Sequence, residues 1–183
     1  HYDSYCLLGP LFDDEPADLI PLRPPESFAK VFSYLSTKGI RCAYGTWDIV
    51  GKPNVVLIDA RALAHHLDEY KAQFWEQFGI DSINARWDFD EPLLWSVGVG
   101  MFLEQIGLQF PKKKIIGHFH EWLSGFSILY LKQAKSPIAT VFTTHATMLG
   151  RSTASRGKEY FKQLGSMDPL EEARAVGVEE KFT

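Results

Sequence analysis

The sequence contains only two cysteines and no long apolar run, which argues against a disulfide scaffold and against a membrane-spanning protein. Cys6 and Cys42 lie in apolar, strand-like stretches without the spacing of a disulfide scaffold, which is typical of buried free thiols in a reducing compartment. No run approaches the roughly 20 apolar residues of a membrane-spanning helix, and no apolar signal core follows the first residues. We therefore expect a cytoplasmic protein without a membrane partner.

The sequence also lacks a large excess of either charge. The 183 residues carry 19 Lys and Arg against 23 Asp and Glu, a formal charge of −4, and the longest basic run covers only residues 112–114. A nucleic-acid binder that works by bulk electrostatics needs a basic face, so we expect no nucleic-acid partner.

With 45% hydrophobic residues, residues 1–183 are predicted to form a single domain. The chain opens on His1 and stops at Thr183 without a terminating signal, so we expect both ends to be cuts in a longer protein.

Short apolar runs alternate with amphipathic stretches along the chain. This pattern predicts the α/β class, with a Rossmann-like, doubly wound and mostly parallel sheet. The predicted strands cover residues 5–8, 41–45, 54–58, 114–118 and 137–143, and the predicted helices cover residues 26–38, 70–78, 91–108 and 121–134. Pro92 is expected in the first turn of its helix. After Gly150 we expect a small polar loop that carries Arg151, followed by short acidic helical pieces.

Two predicted strands end in polar clusters, one with His118, His120 and Glu121 and the other with His145. Ligands of doubly wound sheets bind outside the carboxyl ends of the strands. If these two strands are neighbours, His120, Glu121 and His145 meet on one edge and form a candidate site. Glu121 in a first helical turn would also suit the helix dipole without any function, and His118 alone is typical of a hydrogen-bonded turn residue.

A second interpretation of these residues is a metal site. His118, His120 and His145 with a carboxylate could form a zinc-type site and hence a metal-dependent hydrolase, although no matching pair of ligands occurs elsewhere in the chain.

Arg151 has the planar fork of donors that suits phosphate oxygens. No P-loop or dinucleotide fingerprint is present, because Gly98 and Gly100 lie in the middle of a predicted helix and indicate close packing.

A third interpretation is a glucan-binding module that stacks sugars on tryptophan. The candidates are Trp47, Trp87, Trp95 and Trp122. We expect most of them in the core instead, since Trp95 and Trp122 lie in apolar helical contexts.

Two motifs resemble a known family. GHFHEWLSG at residues 117–125 and IATVFTTHATMLGR at residues 138–151 are similar to segments of the glycogen synthases of animals and fungi. Weaker matches support the resemblance, at residues 5–10, 44–47, 55–59 and 102–104. It extends with gaps from Tyr5 to about Gly150, and weakly to about Ala173. Starch synthases of bacteria and plants resemble the first motif but usually differ at the second.

The resemblance implies that this chain is the N-terminal, acceptor-side half of a two-domain GT-B glycosyltransferase. Such an enzyme transfers glucose with retention from UDP-glucose, or ADP-glucose in the starch synthase type, to the non-reducing 4-hydroxyl of an α-1,4-glucan such as glycogen. By similarity Glu121 and His145 would be catalytic. His145 and Arg151 would contact the donor, and His120 and Glu121 would line the sugar subsite. The resemblance implies no metal and no cofactor beyond the sugar nucleotide, and leaves room for a homo-oligomer of the full-length protein.

Two parts of that family are missing from these 183 residues. One is the Lys-Gly-Gly loop that closes over the donor phosphates, and the other is the C-terminal nucleotide-binding domain. We therefore expect that this segment alone does not transfer glucose.

Overall fold

The computed structural model describes residues 3–14, 16–156 and 160–178 as a succession of short strands and helices. The strands are β1 (Leu7–Pro10), β2 (Leu19–Pro21), β3 (Arg41–Trp47), β4 (Asn54–Asp59), β5 (Ile116–His120) and β6 (Ala139–Thr143). The helices are α1 (Glu26–Ser36), α2 (Leu67–Phe78), α3 (Trp87–Gln109), α4 (Trp122–Gln133), α5 (Met148–Ala154), α6 (Tyr160–Gln163) and α7 (Pro169–Val176), with a 3₁₀ helix at Arg61–His66. None of the helices described is both long and apolar enough to cross a membrane.

The chain forms two compact units, of which the first runs to Phe142 and the second begins at Thr143. The first unit contains the β-sheets and the helices α1 to α4. The second contains α5, α6 and α7, where Thr153 and Ala173 are fully buried. That residues 1–183 make a single domain stays a prediction.

A four-stranded sheet in the order β1-β4-β3-β2 forms one part of the first unit. β1 pairs with β4 in parallel, whereas β3 pairs with β4, and β2 with β3, in antiparallel fashion. The α/β class with parallel strands is therefore confirmed, and the sheet is mixed. The reason is the short connection from β3 to β4, which turns through positive φ at Gly51 and Lys52 and is too short for a parallel crossover.

A second sheet contains β5 and β6, which are joined through α4. The Ala139 amide donates to the Ile115 carbonyl at 3.1 Å, at the start of this pair. Both strands begin two residues later than predicted, because the predicted bounds counted the flanking basic and proline residues as strand. As a result both histidines belong to β5, with His118 inside the strand and His120 as its last residue.

Helix α3 packs against strand β4 and helix α4, and its glycines permit the close approach. A Cβ on Gly98 would lie 2.7 Å from the Ala60 Cβ, and one on Gly100 would lie 2.6 Å from the ring of Tyr130. The packing interpretation of these glycines is confirmed. The prediction that Pro92 lies in the first turn is wrong, because α3 begins at Trp87 and continues through the proline, which cannot donate to the carbonyl four residues earlier.

The main core lies between the four-stranded sheet and helices α1, α3 and α4. Phe28 of α1 contacts Tyr44 of β3 and Phe102 of α3 edge to face, with ring centroids 5.7 Å apart in both pairs. Val31 and Leu35 of α1 are fully buried beside them. These contacts fix α3 against the sheet, and α3 in turn positions α4 and the turn that precedes it.

Candidate functional site

Strand β5 presents two histidines on its exposed face. Gly117 and Phe119 are buried, whereas His118 and His120 are exposed, as the alternation of a strand requires. The two imidazole rings lie 4.2 Å apart between centroids, with an interplanar angle of 32°. His118 and His120 therefore lie on one face of β5 and belong to the same exposed surface.

Glu121 makes the turn from β5 into α4. The prediction that it lies in the first helical turn is wrong: it is the residue before the helix, with φ 63° and ψ 165°. Because β5 continues to His120 and α4 begins at Trp122, this single residue must redirect the chain. Its backbone falls in a region that is essentially restricted to glycine, and strain of this kind is concentrated at functional sites. The side chain of Glu121 is half-buried.

Three buried serines fix the start of helix α4, one of them at the turn and two of them between α3 and α4, and none was predicted from the sequence. The hydroxyl of Ser124 donates to the carbonyl of His120 at 2.8 Å. Ser96 of α3 donates to the carbonyl of Leu123 at 2.9 Å, and Ser127 donates to the carbonyl of Ser96 at 2.7 Å. The signal available in the sequence was the occurrence of serines inside otherwise apolar helices, where buried hydroxyls need partners.

The second unit carries the other two candidates, His145 and Arg151, and both are exposed. The side chain of Thr147 caps α5 by accepting from the Gly150 amide at 2.9 Å. The prediction of a loop around Arg151 is wrong, because the capped helix α5 continues through Arg151 to Ala154. Its glycine, serine and threonine residues favour helix weakly, so the local sequence hid the helix.

The candidates thus fall into two groups, one in each compact unit. His118, His120 and Glu121 lie together at the β5–α4 turn of the first unit. His145 and Arg151 lie on either side of the Thr147 cap in the second unit. That the two groups meet in one site stays a prediction.

A metal centre receives no support from the part of the chain that the structure describes. Within residues 3–14, 16–156 and 160–178, no group of three or more His, Cys, Asp or Glu side chains could hold a metal ion.

Cys6 and Cys42 are half-buried free thiols. Burial raises the pKa of Cys6 to about 11, against a smaller opposing effect of a backbone hydrogen bond, and that of Cys42 to about 12. Both thiols are therefore neutral at pH 7 and unsuited to act as nucleophiles.

The tryptophans are less buried than predicted. Trp122, expected in the core, exposes 49% of its surface at the start of α4, and Trp87 exposes 77% at the start of α3. Trp95 is half-buried, and its indole nitrogen is enclosed without a hydrogen-bond partner. Trp122 follows Glu121 directly, so an exposed aromatic surface borders the β5–α4 turn.

A second polar cluster at a strand end was also missed. Asp59, the last residue of β4, is 8% exposed and accepts hydrogen bonds from two arginines. Arg41 donates from Nη2 at 2.7 Å, and Arg61 donates from Nη2 at 2.8 Å. These bonds, above all those from Arg61, hold the pKa of the Asp59 carboxyl far below its usual range, against the opposing effect of burial. Because both oxygens of this carboxylate are bound by arginines of the same fold, we infer a structural role for Asp59.

The described residues form a mixed α/β fold with parallel strands, which is consistent with the N-terminal domain of a Rossmann-like glycosyltransferase. A family model described as "Glycogen synthase" matches residues 1–182. The chain therefore belongs to the glycogen synthase family, as the resemblance predicted.

Individual relatives agree with this assignment. The chain is 32% identical to glycogen [starch] synthase isoform 1 of Saccharomyces cerevisiae over 98% of its length, and 32% identical to the liver glycogen [starch] synthase of Mus musculus over 93%. It is 31% identical to the glycogen [starch] synthase of Neurospora crassa over 98%. It covers 27%, 25% and 26% of these three proteins, so the chain spans about a quarter of the length of the relatives it matches.

Proposed function

We propose that the full-length protein is a glycogen (starch) synthase, which transfers glucose with retention from UDP-glucose to the non-reducing 4-hydroxyl of an α-1,4-glucan. The observation that carries the proposal is the family match over residues 1–182, which includes both polar motifs. The names of the relatives agree with it. ADP-glucose is the alternative donor, and the 183 residues alone are expected to be inactive.

The reaction breaks the bond between the glucose C1 and the diphosphate oxygen and forms a bond between C1 and the acceptor oxygen. The acceptor hydroxyl loses its proton and the diphosphate leaves with additional negative charge, so the products are the extended glucan, the nucleoside diphosphate and one proton. Stabilising that charge calls for a cation near the diphosphate, since electrostatic stabilisation is commonly the largest catalytic contribution. We assign this role to Arg151, which is exposed on α5 and offers a planar fork of donors. No metal or further cofactor is part of the proposal.

His145, Glu121 and His120 are assigned to the sugars. His145 lies in the exposed segment before α5 and would contact the transferring glucose, while Glu121 and His120 would line the sugar subsite. The support for Glu121 is its strained backbone at a strand end, and the support for His120 is its exposure on the same strand. UDP-glucose and glycogen are thus the proposed partners, with the cytoplasm as the proposed compartment.

The proposal is tested by measuring UDP release by the full-length protein with UDP-glucose and glycogen. We expect activity in the parent and a loss of about 100-fold or more in His145→Ala and in Arg151→Ala, because each variant lacks a group that contacts the donor. Arg156→Ala is the matched control, since this exposed arginine lies in the turn just after α5. A parent that releases neither UDP nor ADP from the sugar nucleotides would overturn the proposal.

A further inference from the structure

The conformation of Glu121 needs a physical cause, because a glutamate does not adopt it freely. With φ 63° and ψ 165°, its Cβ is crowded against its own backbone. An ordinary strand-to-helix turn is built from residues with negative φ or from glycine. Contacts around the turn must therefore hold this backbone in place.

Ser124 supplies the contacts that close around the turn. Its hydroxyl lies 2.8 Å from the carbonyl oxygen of His120 and 3.1 Å from that of Glu121, and its amide donates to the carbonyl of Glu121 at 3.1 Å. The side chain is 9% exposed, so water competes weakly for these bonds. One buried hydroxyl thus contacts the carbonyls on both sides of the strained φ and ψ.

This bond differs from ordinary serine bonding inside a helix. A helical serine commonly donates to the carbonyl four residues earlier, as Ser33 does to Ala29 in the exposed part of α1. The carbonyl that Ser124 reaches also lies four residues earlier, but His120 is the last residue of β5 and not part of α4. The bond therefore ties the helix to the strand across the strained residue.

Ser127 provides a comparison within the same helix. It is fully buried and donates a hydrogen bond at 2.7 Å, but its acceptor is the carbonyl of Ser96 on α3. Ser127 therefore fixes α4 against α3 without a contact to the turn. Removing either hydroxyl leaves a backbone carbonyl with one donor fewer, so both serines are expected to contribute to stability.

We propose that Ser124 is a positioning residue for the reaction: by holding Glu121 in its strained conformation, it sets the direction in which the Glu121 carboxylate is presented to the sugar. This inference rests on the proposed function. Ser124 itself does not contact the substrate in this account. Its effect on the reaction passes through Glu121.

The experiment compares kcat of the full-length protein, with saturating UDP-glucose and glycogen, for Ser124→Ala and Ser127→Ala. We expect similar decreases in melting temperature for both variants. kcat should fall about tenfold in Ser124→Ala and stay within twofold of the parent in Ser127→Ala. Ser124→Cys keeps the shape of the side chain but replaces the hydroxyl by a weak donor, so it should also lower kcat even if the alanine variant does not fold.

A double-mutant cycle with Glu121→Ala tests the route of the effect. If Ser124 acts through Glu121, then Ser124→Ala added to Glu121→Ala lowers kcat no further. Equal kcat in Ser124→Ala and Ser127→Ala, or full additivity in the cycle, would overturn this inference while leaving the proposed function intact. A parent that transfers no glucose from either sugar nucleotide would overturn the proposed function and this inference with it.

Discussion

Two turns of the first unit place a carboxylate at the carboxyl end of a strand, and they treat it in opposite ways. Asp59 after β4 is nearly buried and bound by the guanidinium groups of Arg41 and Arg61. Glu121 after β5 is half-buried, strained in its backbone and bordered by the exposed rings of His120 and Trp122. A strand-end position is therefore insufficient to identify a functional carboxylate.

The carboxylate of one turn stabilises the fold, whereas the other turn reduces stability next to the proposed sugar subsite. The Asp59 turn uses its carboxylate to hold β3, β4 and the following 3₁₀ helix together, and its charge is balanced within the fold. The Glu121 turn keeps an unfavourable backbone conformation beside a polar surface, which lowers stability. We infer that the first turn is structural and the second serves the reaction.

The largest expected effect is on activity at the Glu121 turn. Glu121→Ala in the full-length protein should lower kcat about 100-fold or more, equivalent to about 3 kcal/mol, because a group at the proposed sugar subsite is lost. The measurement is UDP release per folded protein. Asp59→Asn is the control, and its activity per folded protein should equal that of the parent; an equal loss in both variants would break the comparison.

The next effect is on stability at the Asp59 turn. Asp59→Ala should lower the stability of the protein by about 2 kcal/mol, since two arginines lose their common partner and the buried space is left empty. The arginines are more than half exposed, which keeps the expected loss below that of a fully buried pair. Thermal unfolding of the full-length protein measures it. An unchanged melting temperature would contradict the structural role.

The same turn predicts a dependence of stability on pH. The pKa of Asp59 is lowered in the folded state, so its contribution is fully present above the ordinary carboxyl pKa of about 4 and is lost as the pH falls towards the folded value. The difference in stability between the parent and Asp59→Asn should therefore be constant from pH 7 to about pH 5 and shrink below that. Melting curves across this range check the sign, and a difference that grows on acidification would refute it.

The smallest effect tests the strain at Glu121 directly. Glu121→Gly and Glu121→Ala both remove the carboxylate, but only glycine adopts φ 63° without crowding. Glycine loses more conformational entropy on folding than alanine does. The relief of strain should outweigh this loss, so the glycine variant should be more stable than the alanine variant by about 1 kcal/mol. Thermal unfolding of both variants measures the difference. An alanine variant of equal or greater stability would show that the turn is unstrained.

The sequence allowed much of the fold to be predicted, because its signals were periodic. That His118 and His120 share one face of β5 follows from the alternation of a strand, and the packing of Gly98 and Gly100 follows from their place in an apolar helix. The antiparallel pairing of β3 with β4 was missed since a short turn decides it, not the composition of the strands.

The parts of the site that were missed depend on contacts between residues that are distant in the sequence, or on single dihedral angles. A serine inside an apolar helix indicates a buried hydroxyl that needs a partner, but nothing around Ser96 indicates that this partner is the start of α4. The positive φ of Glu121 also left no signal, because a glutamate before a helix is ordinarily read as a favourable interaction with its dipole. The helix through Arg151 was hidden by residues of low helical propensity, and the Thr147 cap compensates for them.

The most direct test of the account is a crystal structure of the full-length protein with UDP and a maltooligosaccharide. We predict a glucose unit within hydrogen-bonding distance of the Glu121 carboxylate, with positive φ retained at that residue, and no sugar at Asp59. A glucan that binds elsewhere on this domain while Glu121 stays out of reach of both donor and acceptor would contradict the assignment of the β5–α4 turn to the reaction.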